Sequence, residues 1–265
     1  MILVIDVSNT TTTLGIFDKD TLISSWRLST TSSRSSDETG ILFNSLFQHS
    51  TADLTDVEDV VISSVVPDLM HSLINAIRKY LKKNPLIVSS GLKTGIKLSM
   101  ENPKEMGTSR IVNMVAAREI CDGDVLVINY DTATTFDVVD QKGEFVTGFT
   151  APGLQTCAEA LYQKAANLPK FEIKRPDSLI TKNTIDSMQC GLVIGHIGET
   201  LYLIDLIKKE LNMPDIKIIA TGGLARVIDE TEEIFDVYDP YLTLHGLRLL
   251  FEKNERKRWG GQKCY

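Results

Sequence analysis

The sequence predicts a duplicated α/β fold, two lobes around a cleft, and three observations lead there. A strand–turn–strand pattern occurs twice. Strands then alternate with helix-length segments. The 265 residues, 43% of them hydrophobic, can fill one large core or two smaller ones. The first copy of the repeat runs Leu3-Val-Ile-Asp6-Val-Ser-Asn9-Thr10-Thr-Thr, then Leu14-Gly-Ile-Phe-Asp18 and Leu22-Ile. The second, displaced by 123 positions (Leu3 to Leu126), runs Leu126-Val-Ile-Asn129-Tyr-Asp131-Thr132-Ala-Thr-Thr, then Phe136-Asp-Val-Val-Asp140 and Phe145-Val. Each reads as an apolar strand, a polar Thr-rich turn, a second strand, a charged hairpin tip and a third strand. Any two hairpins share part of this. Here the match includes the point where the polar turn interrupts the strand, and the offset nearly halves the chain.

The elements follow in order. Each repeat is trailed by a helix, over 37–48 and over 156–167, the second opened by a capping box from Thr156 and Glu159. A buried strand over 59–66 precedes a helix that Pro67-Asp68 opens and that runs to about position 82, and 86–88 is a short strand. A helix over 109–121 places Ile111, Val112, Val115 and Ala116 on one face, with Ser109 as its N-cap. A long helical stretch from Asn183/Thr184 to about position 212 is weakened by Gly191, Gly195 and Gly198. After it come a strand over 216–220, the turn Thr221-Gly222-Gly223 and a last helix over 242–253. The lobes are expected at 1–118 and 119–254, with 255–265 a flexible, solvated tail around Arg256-Lys257-Arg258.

Charge and cysteine usage narrow the function classes. The net charge of −7, with pI near 5.2, repels nucleic acid and anionic membrane, so neither is expected as a partner. The four cysteines lie at least 33 positions apart (Cys157 to Cys190) and the four histidines are scattered, so no zinc site and no disulfide framework is expected. No run of apolar residues approaches the roughly 18–20 needed to span a bilayer, and Met1-Ile-Leu-Val-Ile-Asp6 lacks the pattern of a signal peptide. A cytoplasmic protein is the expectation.

Three segments can carry chemistry. Asp6 ends an apolar strand, where a carboxylate is costly without a partner, and a divalent cation riding on a phosphate would supply one. Asn9 and Thr10 follow in a turn whose backbone N–H groups can meet an anion, the plain alternative being an Asx-turn in a hairpin. Thr132-Ala-Thr-Thr135 sets a second hydroxyl-rich turn at the corresponding place. Together they suggest a nucleotide clamp, and Thr221-Gly222-Gly223 suits the adenosine end.

At these residues the chain resembles the type III pantothenate kinases, members of the actin-like (ribonuclease H-like) superfamily of acetate and sugar kinases. The likeness spans 1–254. It rests on Asp6-x-x-Asn9-Thr10, Ile62-Ser-Ser-Val-Val-Pro67, Lys93-Thr-Gly95, Glu101-Asn-Pro103, Gly107-x-x-Arg110-Ile-Val-Asn113 and Thr132-Ala-Thr-Thr135. It continues through Ala151-Pro-Gly153, Ala165-Ala-x-Leu-Pro169, Asn183-Thr184-x-x-x-Met188, Ala220-Thr-Gly-Gly-Leu-Ala225 and Asp239-Pro-x-Leu-Thr-Leu-x-Gly246. The resemblance implies transfer of the ATP γ-phosphoryl group to pantothenate, the first step of coenzyme A synthesis, by a homodimer using Mg²⁺ and a monovalent cation (K⁺ or NH₄⁺). It implies that Asp6, Asn9, Thr10, Thr132, Thr221, Gly222 and Gly223 hold ATP, Asp6 through its metal. Gly107, Arg110 and Thr184 would bind pantothenate, Arg110 by pairing with its carboxylate.

The chain departs from the family pattern where chemistry is expected. Ser109 stands at the position of the family's proton acceptor, an aspartate, and a serine hydroxyl is no base near neutral pH. Asn129-Tyr130-Asp131 replaces Asp-Phe-Gly, so the monovalent-cation position is Asn129 and a carboxylate reappears at Asp131. Ser8, Thr147 and Thr181 replace further glycines. Two readings stand open: a kinase, slow or redirected, with Asp131 or Glu105 as surrogate base, or an impaired paralogue that binds nucleotide or a pantothenate-like ligand in a regulatory role.

Overall fold

The computed structural model describes residues 1–89, 91–231 and 233–260. The chain divides into two compact units: Met1–Ile96, Met100–Ala116 and the chain from Leu242 onward, and Lys97–Ser99 with Ala117–Tyr241.

In the first unit β1 (Ile2–Val7), β2 (Thr11–Asp18) and β3 (Thr21–Ser29) form an antiparallel meander. Strands β4 (Asp59–Ser64) and β5 (Leu86–Ile87) extend the sheet in parallel on the other side of β1, giving the order β3-β2-β1-β4-β5. The near-continuous apolar reading of β1 follows from burial on both faces. Leu3, Ile5 and Val7 pack with Phe43, Phe47, Leu69 and Leu73 of helices α1 (Ser36–Gln48) and α2 (Pro67–Ala76). Val4, with Phe17 and Val61, packs on the opposite face against Val112 and Val115 of α3 (Thr108–Ile120). A capping box from Ser35 and Glu38 opens α1, and α2 runs on as a π turn, Ile77–Leu81.

The second unit repeats the plan. Its meander is β7 (Val125–Tyr130), β8 (Ala133–Val139) and β9 (Glu144–Pro152). The short β6 (Lys97–Leu98) joins β9, and parallel β10 (Lys217–Thr221) and β11 (Val237–Tyr238) follow β7. The order β6-β9-β8-β7-β10-β11 reproduces that of the first sheet with one edge strand added. The repeat is thus a duplication of topology. Helices α4 (Leu154–Lys164), α5 (Thr184–Gln189), α6 (Gly195–Glu210) and the short α7 (Ala225–Ile228) complete the unit. Ile204 and Ile207 of α6 cover Leu126, Ile128 and Tyr130, and the Tyr130 hydroxyl shares a buried hydrogen bond with Thr200 at 2.8 Å. Burial pushes that phenol far above the ordinary tyrosine range.

Four expectations differ from the structure. The last helix, α8 (Leu242–Gly260), runs seven residues past position 253 and packs Leu244, Leu247 and Leu250 into the first unit. The second lobe therefore ends earlier than 254. The expected tail is helical to Gly260, and 261–265 lie outside the described residues. Thr156 and Glu159 make no capping box: α4 starts at Leu154 with Gly153 as N-cap, the Thr156 hydroxyl donates to the Thr132 carbonyl (2.7 Å), and Gln155 donates to Glu159. The expected long helix is present as one stretch, Thr184–Glu210, with a π turn, Cys190–Ile194, at Gly191. The whole helical stretch Thr184–Glu210 is the one span among the described residues long and apolar enough to cross a bilayer, although no unbroken apolar run occurs in it.

Candidate active site

The first unit carries one polar rim. Directly paired residues on neighbouring strands project to the same face of a sheet. Asp6 pairs with Thr13 on one side and Ser63 on the other, so a row Thr13–Asp6–Ser63 ends the face whose next members are Val4 and Val61. Asp6 is only 8% exposed, and its Oδ2 accepts from the Ser8 hydroxyl at 3.2 Å. Ser63 is fully buried and shares a 3.1 Å hydrogen bond with the Thr108 hydroxyl. That contact docks Gly107-Thr108-Ser109-Arg110 beside the Asp6 strand, uniting segments a hundred residues apart in sequence.

Helix α3 begins at Thr108, one residue earlier than expected, and the Gly107 carbonyl accepts from the backbone N–H of Arg110 at 3.1 Å. Ser109 therefore lies in the first turn and is not the cap. The Thr243 hydroxyl donates to Asn113 at 2.7 Å, tying α8 to α3. Asn9 and Thr10 sit exposed at the tip of the β1–β2 turn. Among the described residues, left-handed backbone outside glycine occurs at Lys19, Lys82 and Asn212, so Ser8, Asp131, Thr147 and Thr181 stand where glycine is not required.

The second unit carries a matching row, Thr135–Asn129–Thr221, from β8, β7 and β10. Asn129 thus occupies the place that Asp6 holds in the first unit. The Asp131–Thr132 turn is fixed from behind: the Thr132 carbonyl accepts from the Gly153 N–H at 3.3 Å as well as from Thr156. A Cβ on Gly153 would lie 2.3 Å from the Asp131 carbonyl oxygen. Gly222, at φ +97°, lies against the same strand end; a Cβ there would be 2.3 Å from the Tyr130 carbonyl oxygen. The two polar turns of this unit are therefore in backbone contact. Thr184, exposed at the start of α5, lines an apolar groove of about 780 Å³ with Leu161, Leu168, Met188 and Leu192. Cys157 shares that groove, and burial raises its thiol pKa, which keeps it from being a ready nucleophile.

The fit to Mg²⁺ can be judged from the donors. No group of three or more His, Cys, Asp or Glu side chains gathers among the described residues. One nearly buried carboxylate ringed by hydroxyls is instead the kind of site that holds Mg²⁺ jointly with substrate phosphates. Sequence reasoning overlooked Ser63, Thr108, Thr13 and Gly153 as parts of the site. The hint for Ser63 was two serines closing an otherwise apolar strand.

Duplicated α/β units with hydroxyl-lined turns at the ends of equivalent strands are the actin-like ATPase and sugar-kinase fold. Solved structures share it. A protein described as a Baf family transcriptional activator from Campylobacter jejuni matches with TM-score 0.58 at 16% identity, over 96% of this chain and 99% of its own. The ethanolamine utilization protein EutJ from Carboxydothermus hydrogenoformans matches with TM-score 0.53 at 12% identity, over 94% and 89%. A 2-dehydro-3-deoxygalactonokinase-like protein from Sinorhizobium meliloti matches with TM-score 0.54 at 10% identity, over 98% and 99%. At these identities the likeness is one of fold.

The family follows from sequence. The type III pantothenate kinase family model matches residues 2–205, and a type III pantothenate kinase from Agathobacter rectalis is 49% identical over 257 residues, 97% of this chain and 99% of the relative. The chain belongs to the type III pantothenate kinase family. Nothing in these comparisons favours the impaired-paralogue reading.

Proposed function

We propose that this chain transfers the γ-phosphoryl group of ATP to the primary hydroxyl of pantothenate, yielding 4′-phosphopantothenate and ADP. The observation that carries the reading is the 49% identity, over nearly the full length of both chains, to a type III pantothenate kinase. The packing of Gly107–Arg110 against the Asp6 strand through Ser63 and Thr108 supports it from geometry.

In this reading Asp6, Asn9, Thr10, Thr132, Thr221, Gly222 and Gly223 are the residues that hold ATP. Mg²⁺, when bound, neutralises phosphate charge as the bond to the leaving ADP breaks. Gly107 and Arg110 hold pantothenate, the guanidinium pairing with its carboxylate. The acceptor hydroxyl gives up a proton as its oxygen bonds to phosphorus. Ser109 cannot take that proton as a base, and Asp131 and Glu105 are the surrogate candidates. Glu105 is held by Asn102 at 2.7 Å. Phosphoryl transfer rests chiefly on positioning and electrostatics, so loss of the aspartate slows the reaction without abolishing it.

Asn129, flanked by Thr135 and Thr221, offers neutral oxygens suited to K⁺ or NH₄⁺. The chain works as a homodimer in the cytoplasm, without nucleic acid or membrane as partners. Exposed Leu179, Ile180, Leu201 and Tyr202 give the second unit apolar surface for a second copy to cover. The test is ADP release with ATP, Mg²⁺ and K⁺, with and without pantothenate, in the wild type and Asp6→Ala. Pantothenate-dependent release that Asp6→Ala abolishes supports the proposal; release equal in both proteins overturns it.

A further inference from the structure

The turn after β1 contains a chain of hydroxyls that the proposed roles leave unused. The Thr30 hydroxyl donates to the Ser8 carbonyl at 2.8 Å and shares a 2.9 Å contact with the Thr12 hydroxyl. Since the one hydroxyl hydrogen of Thr30 goes to Ser8, Thr12 must be the donor in that pair. The Thr30 backbone N–H donates to the Thr10 carbonyl at 3.0 Å, and the Ser8 N–H to the Thr11 carbonyl at 2.9 Å. Ser8 is thereby held at both its N–H and its C=O, while its own hydroxyl reaches Asp6 Oδ2. The direction of donation runs from Thr12 through Thr30 to the Ser8 peptide, and separately from the Ser8 side chain to the carboxylate.

This matters because a carboxylate's terminal torsion is broad and roughly two-fold, so Asp6 has no intrinsic preference that would aim its oxygens. A hydroxyl on a doubly tethered residue supplies that aim. The next two residues, Asn9 and Thr10, ride on the same tethered turn. The family pattern has glycine at position 8, which offers no hydroxyl, and the backbone here does not demand glycine.

We infer that Ser8 is a positioning residue for Asp6: its hydroxyl, anchored by the Thr12–Thr30 clasp, fixes the carboxylate in the orientation that receives Mg-ATP. The inference rests on the proposed role of Asp6 as the ATP- and metal-holding carboxylate. Ser8 touches no reacting atom and acts only through Asp6. Exchange of the hydroxyl for hydrogen removes a charge-assisted bond, and the expected loss is about tenfold in Mg-ATP affinity. Thr30→Val, which frees the Ser8 carbonyl but leaves the Ser8 hydroxyl, is expected to cost less.

The experiment measures Mg-ATP binding by calorimetry, steady-state kinetics and thermal unfolding for the wild type, Ser8→Ala, Ser8→Thr, Asp6→Ala and the Asp6→Ala/Ser8→Ala double variant. Ser8→Ala should weaken Mg-ATP binding and raise KM for ATP about tenfold, with KM for pantothenate and the melting temperature unchanged. Ser8→Thr should restore binding, and in the Asp6→Ala background the loss of Ser8 should add nothing. Wild-type affinity in Ser8→Ala, or an equal further loss in the Asp6→Ala background, overturns the positioning role while leaving the role of Asp6 standing. Undiminished Mg-ATP binding by Asp6→Ala overturns the site assignment itself, and the inference with it.

Discussion

Replacing Gly222 by alanine tests the contact that joins the two polar turns of the second unit. The new Cβ would sit 2.3 Å from the Tyr130 carbonyl oxygen and 2.6 Å from its carbonyl carbon, both backbone atoms that no rotamer change can move. The residue also adopts φ +97°, where an L side chain is strained. The backbone conformation costs roughly 1–2 kcal/mol and the forced separation of the ends of β7 and β10 a similar amount, so the loss is about 3 kcal/mol. At roughly 2–4 °C per kcal/mol for a chain of this size, the melting temperature should fall about 6–12 °C. Differential scanning calorimetry reads this directly. Gly123→Ala, where nothing lies within 4 Å, is the control and should leave it unchanged. A Gly222→Ala protein that melts with the control would refute the close-approach argument.

Further outcomes follow from other side chains. Asp229, 6% exposed, accepts the backbone N–H groups of Glu233, Ile234 and Phe235; Asp229→Ala should cost about 3 kcal/mol in urea unfolding, with the slope unchanged. The Ser99 hydroxyl, with Lys97 beside it, holds the Glu144 carboxyl below its ordinary range. Its contribution to stability is thus present above the unfolded-state pKa and lost as pH falls through the lowered one; Ser99→Ala should raise the Glu144 pKa in an NMR titration, and an unmoved titration would contradict the assignment. Thr134 is buried with its hydroxyl unbonded among the described side chains, so Thr134→Val should leave stability equal or raise it by about 1 kcal/mol in the same urea assay. Ser109→Asp restores the carboxylate of the family pattern, and kcat should rise, by up to about 100-fold if proton removal limits the rate.

The strands and their pairing were legible because burial on both faces writes itself as continuous apolar runs, and because the duplication repeats the same interruption at Asn9-Thr10 and Thr132. What the sequence could not show were choices decided by tertiary contact. Thr156 reads as a cap, yet its hydroxyl is taken by the Thr132 carbonyl from another element. The apolar positions of α8 fit either sheet equally well, and only packing against Val4, Phe17 and Val61 assigns them. Strands of two residues, such as β6 and β11, have no period to detect. In the site, Asp6 and the glycine turn stood out by residue type, whereas Ser63 and Thr108 matter through a hydrogen bond across 45 positions.

The central claim, that a chain with serine at the family's proton-acceptor position still phosphorylates pantothenate, is tested most directly by following the phosphoryl group. ATP labelled in its γ-phosphate is incubated with Mg²⁺, K⁺, pantothenate and stoichiometric protein, and the products are resolved by mass spectrometry. The account predicts label in 4′-phosphopantothenate with the wild type and none with Asp6→Ala. Label that stays in ATP, or passes only to water, would contradict it.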